Sequence, residues 1–303
     1  MGRSIETGLP QARYSYGGDE YVFVELAEAM SLKVNFRAMA ITNKLRDDNN
    51  IEGITDICPS NASYMVRIDP EVLHPDELIS RLKQIDEEVG DVHGFELKTR
   101  IVDVPVMIED PWTHETLMRF RDRHQDPDAT DLEYSARING FETKEDFIEA
   151  LLGSPWLVTM IGFVPGLPWC YQLVPPEEQI EVPKYIRPRT YTPERTFGFG
   201  GGFAVIYSVE GAGGYQLFGR SPVPVLDVQQ RLKDFQDSIV FPKPGDIWNY
   251  RRIEREEYDR LEGEVEEGTF EYTKKDFVYH PDRSLEDPHA YNEEILGVLY
   301  GDY

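Results

Sequence analysis

The sequence predicts an α+β protein in two parts. A ferredoxin-like unit of alternating strands and helices comes first, and a mostly antiparallel β-rich unit of barrel or sandwich type with a helical insertion follows. Three observations carry this. Up to about Pro105 the chain alternates runs of strand character with runs of helical apolar spacing. From Trp156 to Tyr250 it breaks into short β-type runs divided by proline and glycine clusters. Between them, residues 111–152 carry helix starts and helical spacing.

In the first part, YVFVEL (Tyr21 to Leu26) is rich in β-branched and aromatic residues. SLKVNFRAMAITNKL then places Leu32, Phe36, Met39 and Ile41 at roughly helical spacing. ITDICP and SYMVRIDP supply two short strands around a turn, His74-Pro75-Asp76-Glu77 opens a helix through ELISRLKQI, and FELKTRIVDVPVMI returns as strand. Strand, helix, two strands, helix, strand is the split βαβ order, so residues 1–105 are expected to form a ferredoxin-like subdomain with its aromatic and methionine side chains in the core.

Residues 106–250 are expected to form the second subdomain. THETLMRFRDRH and TDLEYSARING are helical, and Thr143 with Asp146 in TKEDFIEALL makes a capping box ahead of an apolar run. WLVTMIGFV, FAVIYSV, YQLFG and PVPVLDV read as strands, and the proline-rich PPEEQIEVPKYIRPRTYTPE as an extended segment on the barrel wall. Residues 251–303 are expected to be an acidic helix and tail, whose charge in IEREEYDRLEGEVEEGTFEY reads as a solvated face, with a docking surface for a basic subunit or adaptation to high salt as the alternatives.

With 303 residues the chain is long enough for about two domains and a sizeable core. Its net charge of −25 argues against nucleic acid and anionic membranes as partners, because both attract basic surfaces. No apolar run approaches the roughly 18 residues of a membrane span, and the N-terminal MGRSIETGLPQARYSYGG lacks the apolar centre of a signal peptide. Cys58 and Cys170 form no CxxC and have no histidine at ligand spacing. A soluble cytoplasmic protein is expected, in which the Asn61 sequon stays unused.

The stretch from Arg187 to Arg220 holds two glycine clusters, GFGGG and GAGG, between cationic residues. It is not a dinucleotide loop, since the sixth place counted from Gly198 is Phe203. It is not a phosphate loop either, because the glycines run into AVIYSV rather than Gly-Lys-Ser/Thr and a helix. They are expected between strands. The histidines at 74, 93, 114, 124, 280 and 289 are scattered without a metal-binding spacing, and there is no GxSxG elbow. What remains is arginine beside glycine-rich turns, which suits a small carboxylate, set against the plainer reading in which Arg189 and Arg220 pair with acids.

Pro183-Lys184, Arg189, Thr192-Pro193-Glu194, Gly198, Gly201-Gly202, Ile206-Tyr207, Glu210, Gly213-Gly214-Tyr215 and Gly219-Arg220 fall in order on a motif of the urea carboxylase carboxyltransferase domain, which the chain resembles in its second half. YSARINGF, SPWLVTMIGFVPGLP and DSIVFPKPGDIWNYRRIEREEYDRL extend the resemblance, and GDEYVFVEL with YMVRIDPEVL resembles the first subunit of allophanate hydrolase in the wider superfamily of 5-oxoprolinase subunits and kinase inhibitors. The sequence departs from the pattern at Ile186, Phe203, Ala212 and Ser221.

The resemblance implies a ferredoxin-like subdomain followed by a cyclophilin-like antiparallel β-barrel. It implies a subunit that moves the carboxyl group of carboxybiotin, carried by a partner, to a nitrogen of urea or a related amide. The partners implied are the other half of the carboxyltransferase, a biotin carboxylase that uses ATP, and a biotinyl carrier; this chain would bind neither ATP nor a metal. Within the motif, Arg189 and Arg220 would hold the migrating carboxylate and Lys184 would add positive charge. Tyr207 and Gln216 would orient the acceptor, and Gly200, Gly201 and Gly202 would let the backbone approach it. Tyr207 as barrel core and Gln216 as a solvent-side strand residue are the plainer readings. A 5-oxoprolinase or allophanate hydrolase subunit and a kinase-inhibitor-like binding module are the other functions the superfamily implies.

Overall fold

The computed structural model describes residues 10–47 and 51–301. The first half of the N-terminal stretch that lacks a signal-peptide centre lies outside them. The chain divides into two compact units: one runs to Leu97 and takes in Tyr279–Leu285, and the other comprises Lys98–Val278 and the chain from Glu286 on.

The first unit is built from β1 (Arg13–Gly17), β2 (Tyr21–Glu25), α1 (Leu32–Asp47), β3 (Ile54–Pro59), β4 (Ser63–Ile68) and α2 (Pro75–Val89). Its sheet has the order β1-β2-β4-β3 and every pairing is antiparallel. Alternation decides the faces. Val22 and Val24 on β2 and Tyr64 and Val66 on β4 turn inward onto Val34, Ala38 and Ile41 of α1 and Leu78 and Leu82 of α2. His74 caps α2, its Nδ1 accepting the Asp76 N–H at 3.2 Å, with Pro75 at the first helical position.

One expected strand lies elsewhere. The split βαβ order has FELKTRIVDVPVMI close the first sheet, but its strand, β5 (Leu97–Ile108), belongs to the second unit, and β1 takes the place beside β2. The reason is in the composition: from Ile101 to Ile108 every residue is buried, as in a strand covered on both faces. The division therefore falls at Leu97 rather than near residue 105.

The second unit contains β5, α3 (Pro111–Arg119), α4 (Asp131–Ile138), α5 (Lys144–Leu152), β6 (Trp156–Ile161), β7 (Pro168–Gln172), β8 (Arg189–Thr192), β9 (Thr196–Gly200), β10 (Phe203–Ile206), β11 (Gly211–Gly213), β12 (Gln216–Arg220), β13 (Ile247–Arg252), α6 (Arg255–Glu267) and β14 (Lys274–Tyr279). α7 (Pro281–Glu286) returns to the first unit, and α8 (Pro288–Tyr300) ends the described chain. The large sheet runs β12-β9-β10-β7-β6-β13-β5-β14, and β5 pairs with β12 as well, through Ile108 with Gly219 and Met107 with Arg220. The line of neighbours thus returns to its first strand. It is not antiparallel throughout, since β13 runs parallel to β5 from Ile247 opposite Ile101 to Arg252 opposite Val106.

The core of this unit is aromatic. Trp156, Phe197, Phe199, Phe218, Trp248 and Tyr250 are all at most 1 % exposed, and each contributes on the order of 1.5–3 kcal/mol of transfer free energy. Phe147, Ile148 and Leu151 of α5 and Tyr258, Leu261 and Val265 of α6 join the same cluster. The acidic helix is therefore amphipathic and packed, not part of a separate tail, and residues 251–303 are shared between the two units. PVPVLDV is no strand: Pro222 and Pro224 remove ladder donors, and only Leu226 bridges to Val240. The capping box of α5 forms as its residues require, Thr143 Oγ1 accepting the Asp146 N–H while the Asp146 carboxylate accepts that of Thr143, both at 3.1 Å. No helix among the described residues is long and apolar enough to cross a membrane.

Candidate functional site

The glycine run is strand and turn. Gly198 and Gly200 lie in β9, Gly200 pairs with Phe203 of β10, and Gly201-Gly202 form the two-residue turn of the hairpin. Gly201 takes φ 61°, the left-handed conformation such a turn requires. Its N–H donates to Val182 O at 2.7 Å and its carbonyl accepts the Val182 N–H at 2.9 Å, so its backbone is spent on the fold. Gly200 has another cause: a Cβ there would lie 2.5 Å from the ring of Tyr215.

Tyr215 is one wall of a cavity of about 120 Å³ that Phe163, Trp169, Lys184, Tyr207 and Gly214 also line. Trp169 meets the Tyr215 ring edge-on, with centroids 5.7 Å apart, and the Lys184 ammonium stands 5.2 Å from that ring's centroid. Tyr207 is packed with Leu167, Val205 and Tyr215. Burial pushes the Tyr207 hydroxyl above its usual range, with the neighbouring Arg189 charge pulling the other way, and burial raises Tyr215 as well. Both phenols are therefore neutral hydrogen-bond donors near neutral pH. The buried hydroxyl of Tyr215 has no hydrogen-bond partner among the described residues.

Arg189 lies behind this cavity, fully buried. Its Nη1 donates to Tyr215 O at 2.7 Å, its Nη2 donates to Thr192 Oγ1 at 3.3 Å, and the guanidinium stands 4.4 Å from the centre of the Tyr185 ring. Its Nε, also buried, is without a hydrogen-bond partner among the described residues. The Tyr185 hydroxyl donates to Asp131 at 2.7 Å, and the same carboxylate accepts the Leu217 N–H at 2.7 Å. Burial raises the Asp131 pKa, opposed by those two hydrogen bonds and by the charges of His124 and Arg189.

Gln216 belongs to this network and not to the solvent side. It is fully buried, its Nε2 donates to Pro183 O at 2.8 Å, and its Oε1 lies 2.8 Å from His124 Nε2. His124 is edge-on to both Tyr134 and Tyr185. Gln125 Nε2 donates to Lys184 O at 2.5 Å, and Arg123 Nη1 to Pro188 O at 2.6 Å. The helical insertion thus holds the 183–189 segment against β12, which fixes the backbone that carries Lys184.

Arg220 is placed apart from these. At the far end of β12 from Gln216, its Nη1 donates to the Tyr258 hydroxyl at 2.7 Å and its Nε to Glu194 O at 3.2 Å, with Glu262 at 3.7 Å and the Trp112 ring centroid at 4.9 Å. Four steps along the strand, at about 3.3 Å each, separate Gln216 from Arg220, and the two arginines share no hydrogen-bond partner among the described residues. Of the residues singled out from the sequence, the structure brings Lys184 and Tyr207 to the cavity, sets Arg189, Gln216 and Gly200 behind it as supports, and leaves Arg220, Gly201 and Gly202 elsewhere. Sequence reasoning misses Phe163, Trp169, Tyr215, His124 and Asp131; only Tyr215, following Gly213-Gly214 in the motif, carries a signal that could have marked it.

The arrangement can bind a small planar group. Its volume falls below the roughly 300–1,000 Å³ of pockets that hold whole drug-sized ligands, so it takes one end of a larger molecule or a molecule of urea's size. Aromatic walls and a cation suit a planar carbonyl-bearing group or a carboxylate.

Comparison with known proteins places these features in a family. The sequence profile described as "Carboxyltransferase domain, subdomain C and D" matches residues 12–235. The chain is 26 % identical to urea amidolyase of Lachancea kluyveri over 275 residues, covering 89 % of this chain and 15 % of that protein. It is 23 % identical to a 5-oxoprolinase subunit of Bacillus subtilis (strain 168) over 251 residues, 80 % of this chain and 92 % of that protein. The crystal structure of the K. lactis urea amidolyase superposes with a TM-score of 0.81 at 22 % identity, over 95 % of this chain and 18 % of that one, a likeness of fold. The chain thus spans under a fifth of the urea amidolyases it matches and most of the oxoprolinase subunit. By the extent of the profile match, the chain belongs to the family of carboxyltransferase domains, subdomains C and D.

Proposed function

We propose that this chain is a carboxyltransferase subunit of urea carboxylase type, acting in the cytoplasm with the other half of the carboxyltransferase, a biotin carboxylase that consumes ATP, and a biotinyl carrier. The observation that supports this reading best is the cavity under Lys184, whose aromatic walls and neighbouring cation fit a ureido or urea-sized group within the matched segment. Carboxybiotin on the carrier would supply the carboxyl group to the acceptor nitrogen, whose proton would go to the biotin nitrogen that is released. The chain's own residues supply the surroundings. The Lys184 ammonium attracts the carboxylate, and Tyr207 and Tyr215 wall the acceptor. Arg189 acts from behind, holding the Tyr215 backbone so that this wall stays in place.

The test is reconstitution. With carrier, biotin carboxylase and the first carboxyltransferase half present, label from bicarbonate should pass to urea only when this chain is added, and Lys184→Met should reduce the rate by about 10²-fold or more. Urea-dependent loss of carboxybiotin that is the same with and without the chain would overturn the reading. A second reading, a subunit of an ATP-dependent 5-oxoprolinase-type complex, is favoured by one observation: the chain matches 92 % of the length of the Bacillus subtilis oxoprolinase subunit. It predicts that 5-oxoproline, not urea, drives ATP consumption in the assembled complex.

A further inference from the structure

We infer that Phe163 is the closing face of the cavity, a positioning residue that stacks over a flat amide-type group held against Trp169 and Tyr215. The inference rests on the proposed function only for the class of ligand; the placement of Phe163 stands on its own geometry. Phe163 lies in the connection between β6 and β7, and that connection is tied down on both sides. The Gly162 N–H donates to Leu167 O at 3.0 Å, Trp169 Nε1 to Gly162 O at 3.4 Å, and Ser208 Oγ to Pro165 O at 2.6 Å.

Within this fixed frame Phe163 has φ 77°, a left-handed conformation that a bulky side chain rarely adopts, and it is 67 % exposed. Both features cost stability, since the backbone is strained and a large ring stays in water. Neither is offset by packing of the ring into the core. Strain of this kind persists where a ligand or partner uses it. The ring lines the cavity, whose other aromatic surfaces belong to Trp169, Tyr207 and Tyr215, so its use is to complete the apolar enclosure.

The walls agree with that class of ligand. Rings favour a planar partner, and Lys184 favours an oxygen that bears partial or full negative charge. A planar N–C=O group, open or cyclic, meets both. At about 120 Å³ the enclosure admits a single five-membered ring of this kind.

The experiment uses the intact chain without partners, so that it can fail independently of carboxyl transfer. Ligand-observed NMR would follow 2-imidazolidinone (a bare cyclic urea), 2-pyrrolidinone (a lactam) and acetate against the wild type, Phe163→Gly, Phe163→Ala and Phe163→Tyr. Saturable binding of the two cyclic amides is expected, weakened about tenfold in Phe163→Gly and Phe163→Ala and largely kept in Phe163→Tyr. Phe163→Gly should melt at the wild-type temperature or up to about 2–4 °C above it, because glycine relieves the left-handed strain. Preference among the cyclic urea, the lactam and acetate then separates the sources of the ligand. Undiminished binding by the glycine and alanine variants would overturn the proposal, as would no saturable binding to the wild type. Unchanged probe binding together with failed assembly of the complex would also overturn it, and would assign Phe163 to a protein contact. Binding lost in the variants alongside a reconstituted complex that transfers no carboxyl group would leave Phe163 in place and remove the proposed function.

Discussion

The Arg189 guanidinium donates to the Tyr215 carbonyl at 2.7 Å, so the most deeply buried arginine of the second unit holds a wall of the cavity rather than projecting into it. An arginine fork can do this and stack on Tyr185 together; a lysine ammonium can reach one acceptor and loses the stack. Arg189→Lys should therefore destabilise the chain by about 1–3 kcal/mol. It should also weaken binding of 2-imidazolidinone by displacing Tyr215. Denaturant unfolding and probe titration of one preparation check both, and a variant of wild-type stability that fails only in turnover would move Arg189 to the chemistry.

Gly200 and Tyr215 form a second dependent pair. A methyl group at 200 would sit 2.5 Å from a ring that already has Trp169 at its edge and Lys184 over it. Gly200→Ala should cost about 1–3 kcal/mol through overpacking. In a Tyr215→Leu background the same change should cost less, with a coupling energy of about 1 kcal/mol or more. Additive costs would show that the clash is absorbed elsewhere.

How much of this is legible in the sequence depends on where the partners of each residue lie. Local signals hold: His74-Pro75 opens α2, and the Thr143 and Asp146 capping box opens α5. Gln216 misleads because it stands between Tyr215 and Leu217, where alternation puts a polar residue in solvent. The insertion covers that face instead, and the partner, His124, is 92 residues away. β1 escapes notice because RYSYG is almost wholly exposed and shows no apolar alternation. Arg189 and Arg220 look like one cluster because both flank glycine-rich turns, whereas a strand carries such neighbours out of reach of each other. The cavity itself joins residues 163, 169, 184, 207 and 215, a set that pairing creates and no spacing announces.

Asp110 gives a prediction in pH. It is 1 % exposed and caps α3, accepting the Trp112 and Thr113 N–H groups at 3.0 and 2.9 Å. Burial raises its pKa, outweighing the hydrogen bonds from Thr113 and Trp112 and the charge of Arg220. A folded carboxyl that keeps its proton above the unfolded value of about 3.9 means that stability falls as pH rises from that value through the folded pKa. Asn caps helices as well as Asp and does not titrate. Melting temperatures measured from pH 4 to pH 7 should show Asp110→Asn gaining on the wild type as pH rises. A gap that narrows over the same range would mean that the capping bonds win and the carboxyl ionises more readily than in the unfolded chain.

Arg220 separates support from chemistry most sharply, because the sequence motif and the structure read it differently. In the motif it stands where a carboxylate would be gripped. In the fold its Nη1 and Nε are engaged by the Tyr258 hydroxyl and Glu194 O, with the ring of Trp112 beside the guanidinium, and none of these partners lines the cavity. Lysine would keep the charge near Glu262 but could not satisfy two acceptors and stack at once. Arg220→Lys should therefore lower stability by about 1–2 kcal/mol, a fall of about 2–8 °C in melting temperature. Probe binding at the cavity should stay at the wild-type level. Tyr258→Phe should reproduce part of the loss, and the two changes together should cost less than their sum, since each removes the same hydrogen bond. If Arg220→Lys instead melts like the wild type while the reconstituted complex loses carboxyl transfer, Arg220 meets the substrate on a surface that assembly with the partner completes, and the motif would have identified the residue correctly.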